Sequence, residues 1–192
     1  MEETGVFEIK NACIPVEDLA APELRELLSY WQSLRGDRFA PSWTEVELID
    51  MPAKLLPYLT VVEVRHAPLD FVYSFYGTGH MALKARDLTG RSIMEALPNE
   101  NTPIVLEQYR RTLEARKPLA FRRIVTSPVP DKGNNPTQHT LRVPLSADGE
   151  GVQWIMSLSD LRNSPEMRDF YETFGRDRPF RQTTSVRRAS AG

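Results

Sequence analysis

Apolar residues recur along this chain in two rhythms. Between residues 22 and 35, Leu24, Leu27, Leu28, Trp31 and Leu34 fall on one stripe, with Arg25, Glu26 and Gln32 elsewhere. That is the three-to-four spacing of an amphipathic helix. Pro22 suits its first turn, and Gly36 can take the left-handed conformation that stops it. From residue 59 the period shortens to two. Residues 59–66 are rich in Val and Thr, and 71–76 alternate through Phe71, Tyr73 and Phe75. Residues 137–145 set His139, Leu141, Val143 and Leu145 on one face against Gln138, Thr140 and Arg142 on the other. Residues 119–127 and 152–160 complete five strands, the last showing Val152, Trp154, Met156 and Leu158 as its apolar face. Each alternation marks a strand with one buried side.

Helical spacing returns between the second and third strands. Thr78 caps one short helix, Ser92 with Glu95 has the spacing of a capping box for another, and Thr102-Pro103 opens a longer one with Leu106, Tyr109 and Leu113 on one stripe. A brief helix over 50–56 and a polar one over 165–174 are also expected. The order predicts an α+β fold with five strands in one antiparallel sheet, an N-terminal helix and a C-terminal extension. The division expected is an irregular lead-in at 1–20, a helical extension at 21–56, the main domain at 57–162, and a helix-like segment with a mobile basic tail at 163–192.

Composition narrows the function. The 192 residues carry a formal net charge of -2, so no overall basic field draws nucleic acid or an acidic membrane. The arginines of the tail (Arg176, Arg178, Arg181, Arg187 and Arg188) lack interleaved aromatics and read as solvated. Cys13 is the only cysteine, which rules out a disulfide within the chain and argues against a cysteine metal site. No apolar run is long enough to span a membrane, and the acidic start does not resemble a secretory signal. A cytoplasmic protein is expected.

Catalytic chemistry is not evident. His66, His80 and His139 lie in separate segments and suggest no metal site. Glu63, Asp70, Glu95 and Asp160 form no evident acid-base pair, and no Gly-x-Ser-x-Gly elbow occurs. Gly77-Thr78-Gly79 is too short for a phosphate-binding loop and reads as a strand exit followed by a helix cap.

From Trp31 to Leu161 the chain resembles a bacterial family of single-domain PAS proteins. The matching pieces are YWQSLRGDRFAPSWTEVELIDMPAKLLPYLTVVEV, DFVYSFYGTGHMALKARDLTGRSI, YRRTLEARKPL and LRVPLSADGEGVQWIMSLSDL, in that order. The resemblance implies a five-stranded antiparallel sheet with helices on one face, in a sensory module without attached kinase, cyclase or DNA-binding domain. It departs from the better-known cofactor types. The helix over 102–116 has no histidine for haem, and Cys13 lies ahead of the module, where it serves neither a flavin photosensor nor a covalent chromophore. No cofactor is expected.

The leading expectation is therefore a non-catalytic sensory or regulatory protein that binds a small organic ligand, a protein partner, or both, and signals in trans. A fully packed scaffold module is the alternative, and a small enzyme on a related scaffold the third. A ligand pocket is expected near Val62, Val64, Tyr73, Met94, Tyr109, Leu113, His139, Leu141, Trp154 and Met156. Tyr73, Tyr109, His139 and Arg142 are the candidate polar groups of the pocket, although Arg142 alternates away from His139, which leaves a solvent-facing position open for it. The stripe Leu24, Leu27, Leu28, Trp31 and Leu34 is expected at or near a homodimer interface.

Overall fold

The strands form where the two-residue rhythm places them. The computed structural model describes residues 8–84, 87–96, 102–126, 135–163, 165–174 and 181–184. Its strands are β1 (Glu8–Ile14), β2 (Leu59–His66), β3 (Leu69–Tyr76), β4 (Leu119–Thr126), β5 (Thr137–Leu145), β6 (Trp154–Ser159) and β7 (Arg181–Thr184). The helices are α1 (Pro22–Arg35), α2 (Thr78–Lys84), α3 (Ile93–Ala96), α4 (Thr102–Ala115) and α5 (Pro165–Phe174). One sheet contains all seven strands in the order β3-β2-β6-β5-β4-β1-β7. The five expected strands are its antiparallel body, with β2 and β3 as the expected hairpin.

Two strands extend that body. Residues 8–14, expected to be irregular, form β1, which runs antiparallel to β4 from Glu8↔Thr126 to Ile14↔Ala120. The reason is visible in the segment: Ile9 is buried with Val125 in a small apolar cluster, and Asn11 reaches Arg123 across the ladder. Residues 181–184 form β7 parallel to β1, so this part of the basic tail is a strand. The remainder of the tail, expected to be mobile, lies outside the described residues. The brief helix expected over 50–56 is replaced by turns and a single 3-10 turn at Leu56–Tyr58.

Both faces of the sheet are covered. On one, Leu24, Leu27 and Trp31 of α1 are buried among Leu59, Val61, Leu141, Val143, Leu145, Met156 and Leu158, with Leu28 and Leu34 packed at the margin. Leu24, Leu27 and Trp31 of the α1 stripe therefore belong to this chain's own core, with Leu28 and Leu34 partly exposed at its edge. The Trp31 indole N–H donates to the Pro144 carbonyl at 2.7 Å. That carbonyl needs a partner from outside the ladder, because β4 pairs with β5 only as far as Leu119↔Arg142. The same gap explains how a proline, which cannot donate to a ladder, sits in β5.

On the other face, Val62, Val64, Phe71, Tyr73, Tyr76, Tyr109 and Ile155 form a second cluster beneath α2, α3 and α4. A bulge in β3 decides which aromatics belong there. The register passes from Val61↔Phe75 to Val62↔Tyr73, leaving Ser74 unmatched. Phe75 is thereby turned to the α1 side, and Tyr76 takes the place that unbroken alternation assigned to Phe75.

The tight strand exit after β3 explains Gly77 and Gly79. A Cβ on Gly77 would meet the Leu56 and Pro57 carbonyl oxygens at 2.4 Å, and one on Gly79 would meet the Tyr58 ring at 2.6 Å. The motif lets α2 approach the Leu56–Tyr58 turn.

The β5–β6 connection is held by one carboxylate. Asp148 accepts from the Glu150 and Gly151 amides at 2.8 and 2.9 Å, from the Ser146 hydroxyl at 3.1 Å and from the Gln153 side-chain amide at 2.8 Å. The Gly151 amide, then that of Glu150, hold its pKa down from 3.8 to about 2.

Two predictions follow from this packing. Leu27→Ala empties volume between α1 and the sheet and lowers unfolding free energy in urea by about 2–5 kcal/mol. Because the folded pKa of Asp148 is depressed, its contribution is complete above the unfolded value of 3.8 and is lost as pH falls through about 2. The stability difference between wild type and Asp148→Ala, measured by urea titration at a series of pH values, should therefore shrink across that interval.

Candidate functional site

The polar alternates of β5 and β6 do not face water. Opposite the α1 side, Gln138, Thr140 and Arg142 of β5 stand beside Ser157 and Ser159 of β6, and α4 lies over them with Val105, Gln108 and Tyr109. Between strands and helix is a partly open cavity of about 120 Å³. Its wall is completed by Thr60, Tyr73, Tyr76, His80, Leu83, Phe121, Arg123 and Leu161. The mixture is that of a small-molecule site: aromatic and apolar surface with a few convergent polar groups.

Arg142 organises the polar side. It is only 5% exposed. Its Nε and Nη2 donate to Gln108 Oε1 at 3.3 and 2.9 Å, and its Nη1 donates to Ser157 Oγ at 2.8 Å. The guanidinium carbon lies 3.8 Å from the Tyr109 ring centroid, a cation–π arrangement. Tyr109 in turn stacks on Phe71 with centroids 5.3 Å apart. Beside them Tyr73 meets Tyr76 edge-on at 4.9 Å. Burial pushes the Tyr73 phenol well above its ordinary range; Tyr109 and Tyr76 push it further, and Arg142 opposes them. Tyr73 therefore stays a neutral hydroxyl. Thr140 and Ser159 share a hydrogen bond at 3.1 Å, and His80 Nε2 lies 3.1 Å from the Tyr58 carbonyl oxygen.

A second hollow of about 230 Å³ lies between α4 and β1. Asn11, Cys13, Ile104, Glu107 and Arg111 line it, and it shares Gln108 and Phe121 with the first. Asn11 Oδ1 accepts from Arg123 Nε at 3.1 Å, while its Nδ2 is buried without a partner.

Of the residues expected around a pocket, the geometry brings Tyr73 and Tyr109 to the cavity wall. Val62 and Val64 sit in the core beneath the helices, and Leu113 packs at its margin. Met94 is 58% exposed. Leu141, Trp154 and Met156 pack on the α1 side, and His139 alternates to that side with them. His139 pairs with Asp160, Nδ1 to Oδ2 at 3.1 Å, away from the cavity and from any hydroxyl nucleophile on its wall. Arg142, a candidate polar group for which a solvent-facing position was also open, is the buried cation of the site. The expected α4 stripe is also rotated: Thr102, Gln108, Tyr109 and Thr112 are its buried residues, while Leu106 is only partly buried. The signal that finds this face is the α1 stripe itself. A second apolar helix needs its own sheet surface, and once it takes the apolar face, the polar one must look inward.

Among the described residues no cluster of His, Cys, Asp and Glu stands ready for a metal ion, and no helix is long and apolar enough to cross a membrane.

No known family profile and no curated protein matches the chain. Solved structures similar to it include a fungal LOV-domain photoreceptor, 17% identical over 59% of this chain and 78% of that one, with a TM-score of 0.35. Another is a cysteine-to-valine variant of the fungal photoreceptor VVD, 11% identical over 73% of this chain and 97% of that one, with a TM-score of 0.39. Neither match speaks to ligand or activity here.

The hollow predicts an asymmetry between the two faces of β5 and β6. Ser159→Leu extends into free space and costs under about 1 kcal/mol, whereas Leu141→Phe overpacks the filled α1 side and costs about 1–3 kcal/mol. Urea denaturation of both variants against wild type measures the difference.

Proposed function

We propose that this protein is a PAS-type sensory module without catalytic activity, that it binds a small organic ligand in the cavity under α4, and that it passes the bound state to a protein partner in trans. The observation that carries the reading is the cavity: a hollow of about 120 Å³ walled by aromatics on one side and by Gln108, Gln138, Thr140, Arg142 and Ser157 on the other. A fully packed scaffold core would have no reason to gather buried polar side chains around empty space. The strand order of the five-stranded body and the helices laid over one face support the PAS reading.

The size of the hollow speaks for a ligand of modest bulk. It is somewhat smaller than the ~150 Å³ engineered cavity that holds benzene, which supports a ligand smaller than haem or a flavin. The mechanism is a two-state shift. A ligand that binds one arrangement of sheet and α4 more tightly draws the population toward it, and α4 carries Gln108 and Tyr109 directly on the cavity wall. A reducing cytoplasm suits a chain whose lone thiol is Cys13.

Native mass spectrometry of the freshly purified protein tests the reading, with a retained small molecule lost on denaturation as the expected result. Such a ligand also raises the melting temperature when added back to stripped protein. A protein that retains nothing, and that no metabolite stabilises, is a scaffold.

A further inference from the structure

The ligand-binding reading above, on which a charge preference of the cavity would rest, leaves the charge of the ligand open. Arg142 is buried at 5% exposure, yet it forms no ion pair among the described residues. No Asp or Glu lines the cavity among the described residues, while Arg123 and His80 do. A guanidinium does not escape burial by losing its proton. A buried cation held only by neutral dipoles is strongly unfavourable compared with one facing an anion. The partners of Arg142 are all neutral: the Gln108 amide oxygen, the Ser157 hydroxyl and the Tyr109 ring. Three of its five N–H groups are used, which leaves one on each terminal nitrogen. These free N–H groups are available to a carboxylate, the anion whose two oxygens suit a guanidinium better than an ammonium.

We propose that the cavity takes a small organic monocarboxylate, its carboxylate on Arg142 and its apolar remainder against Tyr73, Tyr76 and Phe121. One negative charge matches one buried positive charge; a phosphate dianion would bring a second into the same enclosed space. The aromatic half of the wall has no use in holding a bare inorganic anion, but it accommodates a short alkyl chain or a single ring. By comparison with the larger cavity that holds benzene, the enclosed part of the ligand is limited to about six heavy atoms, and the rest reaches the open side.

The test is calorimetric titration and thermal shift of the full chain with acetate, butanoate and benzoate, each against its amide, and with inorganic phosphate. At least one of the larger acids should bind saturably, at least tenfold tighter than its amide and tighter than phosphate. Arg142→Met should weaken that acid at least tenfold while melting no lower than wild type without ligand, because it removes an uncompensated charge. Acids and amides that bind alike, or phosphate preferred over every acid, would overturn the inference. So would an Arg142→Met variant that melts well below wild type, since Gln108 and Ser157 would then be sufficient partners for the guanidinium. Amides that bind where acids do not would remove the charge preference and leave the sensor reading intact. No binding by either series, together with no ligand retained in native mass spectrometry, would remove both.

Discussion

A sheet whose two faces are both covered is the constraint from which the other features derive. A strand with one wet face can send its polar residues to water. Here α1 occupies the face built by Leu59, Val61, Leu141, Val143, Met156 and Leu158, so the opposite residues of β5 and β6 lie under α4. Gln138, Arg142 and Ser157 are buried as a consequence and find their partners inside. A polar layer under a helix cannot close as tightly as an aliphatic one, because hydrogen-bond directions fix side-chain positions that packing alone would leave free. The hollow under α4 is where that limit shows.

How much of this could be read from the sequence depends on the question asked of each segment. The period-two runs and the Pro22 and Gly36 boundaries mark elements by local chemistry, and the structure places them within a residue or two. Strand β1 was not legible because EIKNACI has one buried apolar residue, Ile9, and owes its conformation to β4, far away in sequence. The bulge at Ser74 left no local mark either, yet it exchanges Phe75 for Tyr76 at the site. The largest displacement was the inward face of β5 and β6. Alternation shows that Leu141 and Arg142 point opposite ways, but it does not say which layer lies on which side. The expected pocket residues Leu141, Trp154 and Met156 lie on the apolar face, and that is the face α1 needs.

The same geometry joins the cavity to the opposite layer. Arg142 and Pro144 are two residues apart on β5. The first holds Gln108 of α4; the carbonyl of the second holds the Trp31 indole of α1. One strand thus carries a polar anchor from each helical layer, and an adjustment of β5 has contacts through which it is felt on both sides of the sheet. This contiguity is a physical route, distinct from a measured coupling.

The margins of the sheet have a consequence for how the molecule meets other chains. At one margin, β3 is backed by the 88–92 loop, where Gly90 N donates to the Tyr73 carbonyl at 2.7 Å and Tyr73 N to the Arg91 carbonyl at 3.0 Å, with a bridge between Val72 and Ser92. At the other, β1 is covered by β7, a strand of only four residues. Among the described residues, a visiting strand thus finds the middle of β3 engaged at Tyr73 at one margin and a short foothold at the other. Short or covered edges are the means by which sheet proteins avoid stacking into aggregates. Recognition by strand addition is correspondingly disfavoured, which leaves side-chain surfaces and helix ends as the places where an association can be both specific and reversible.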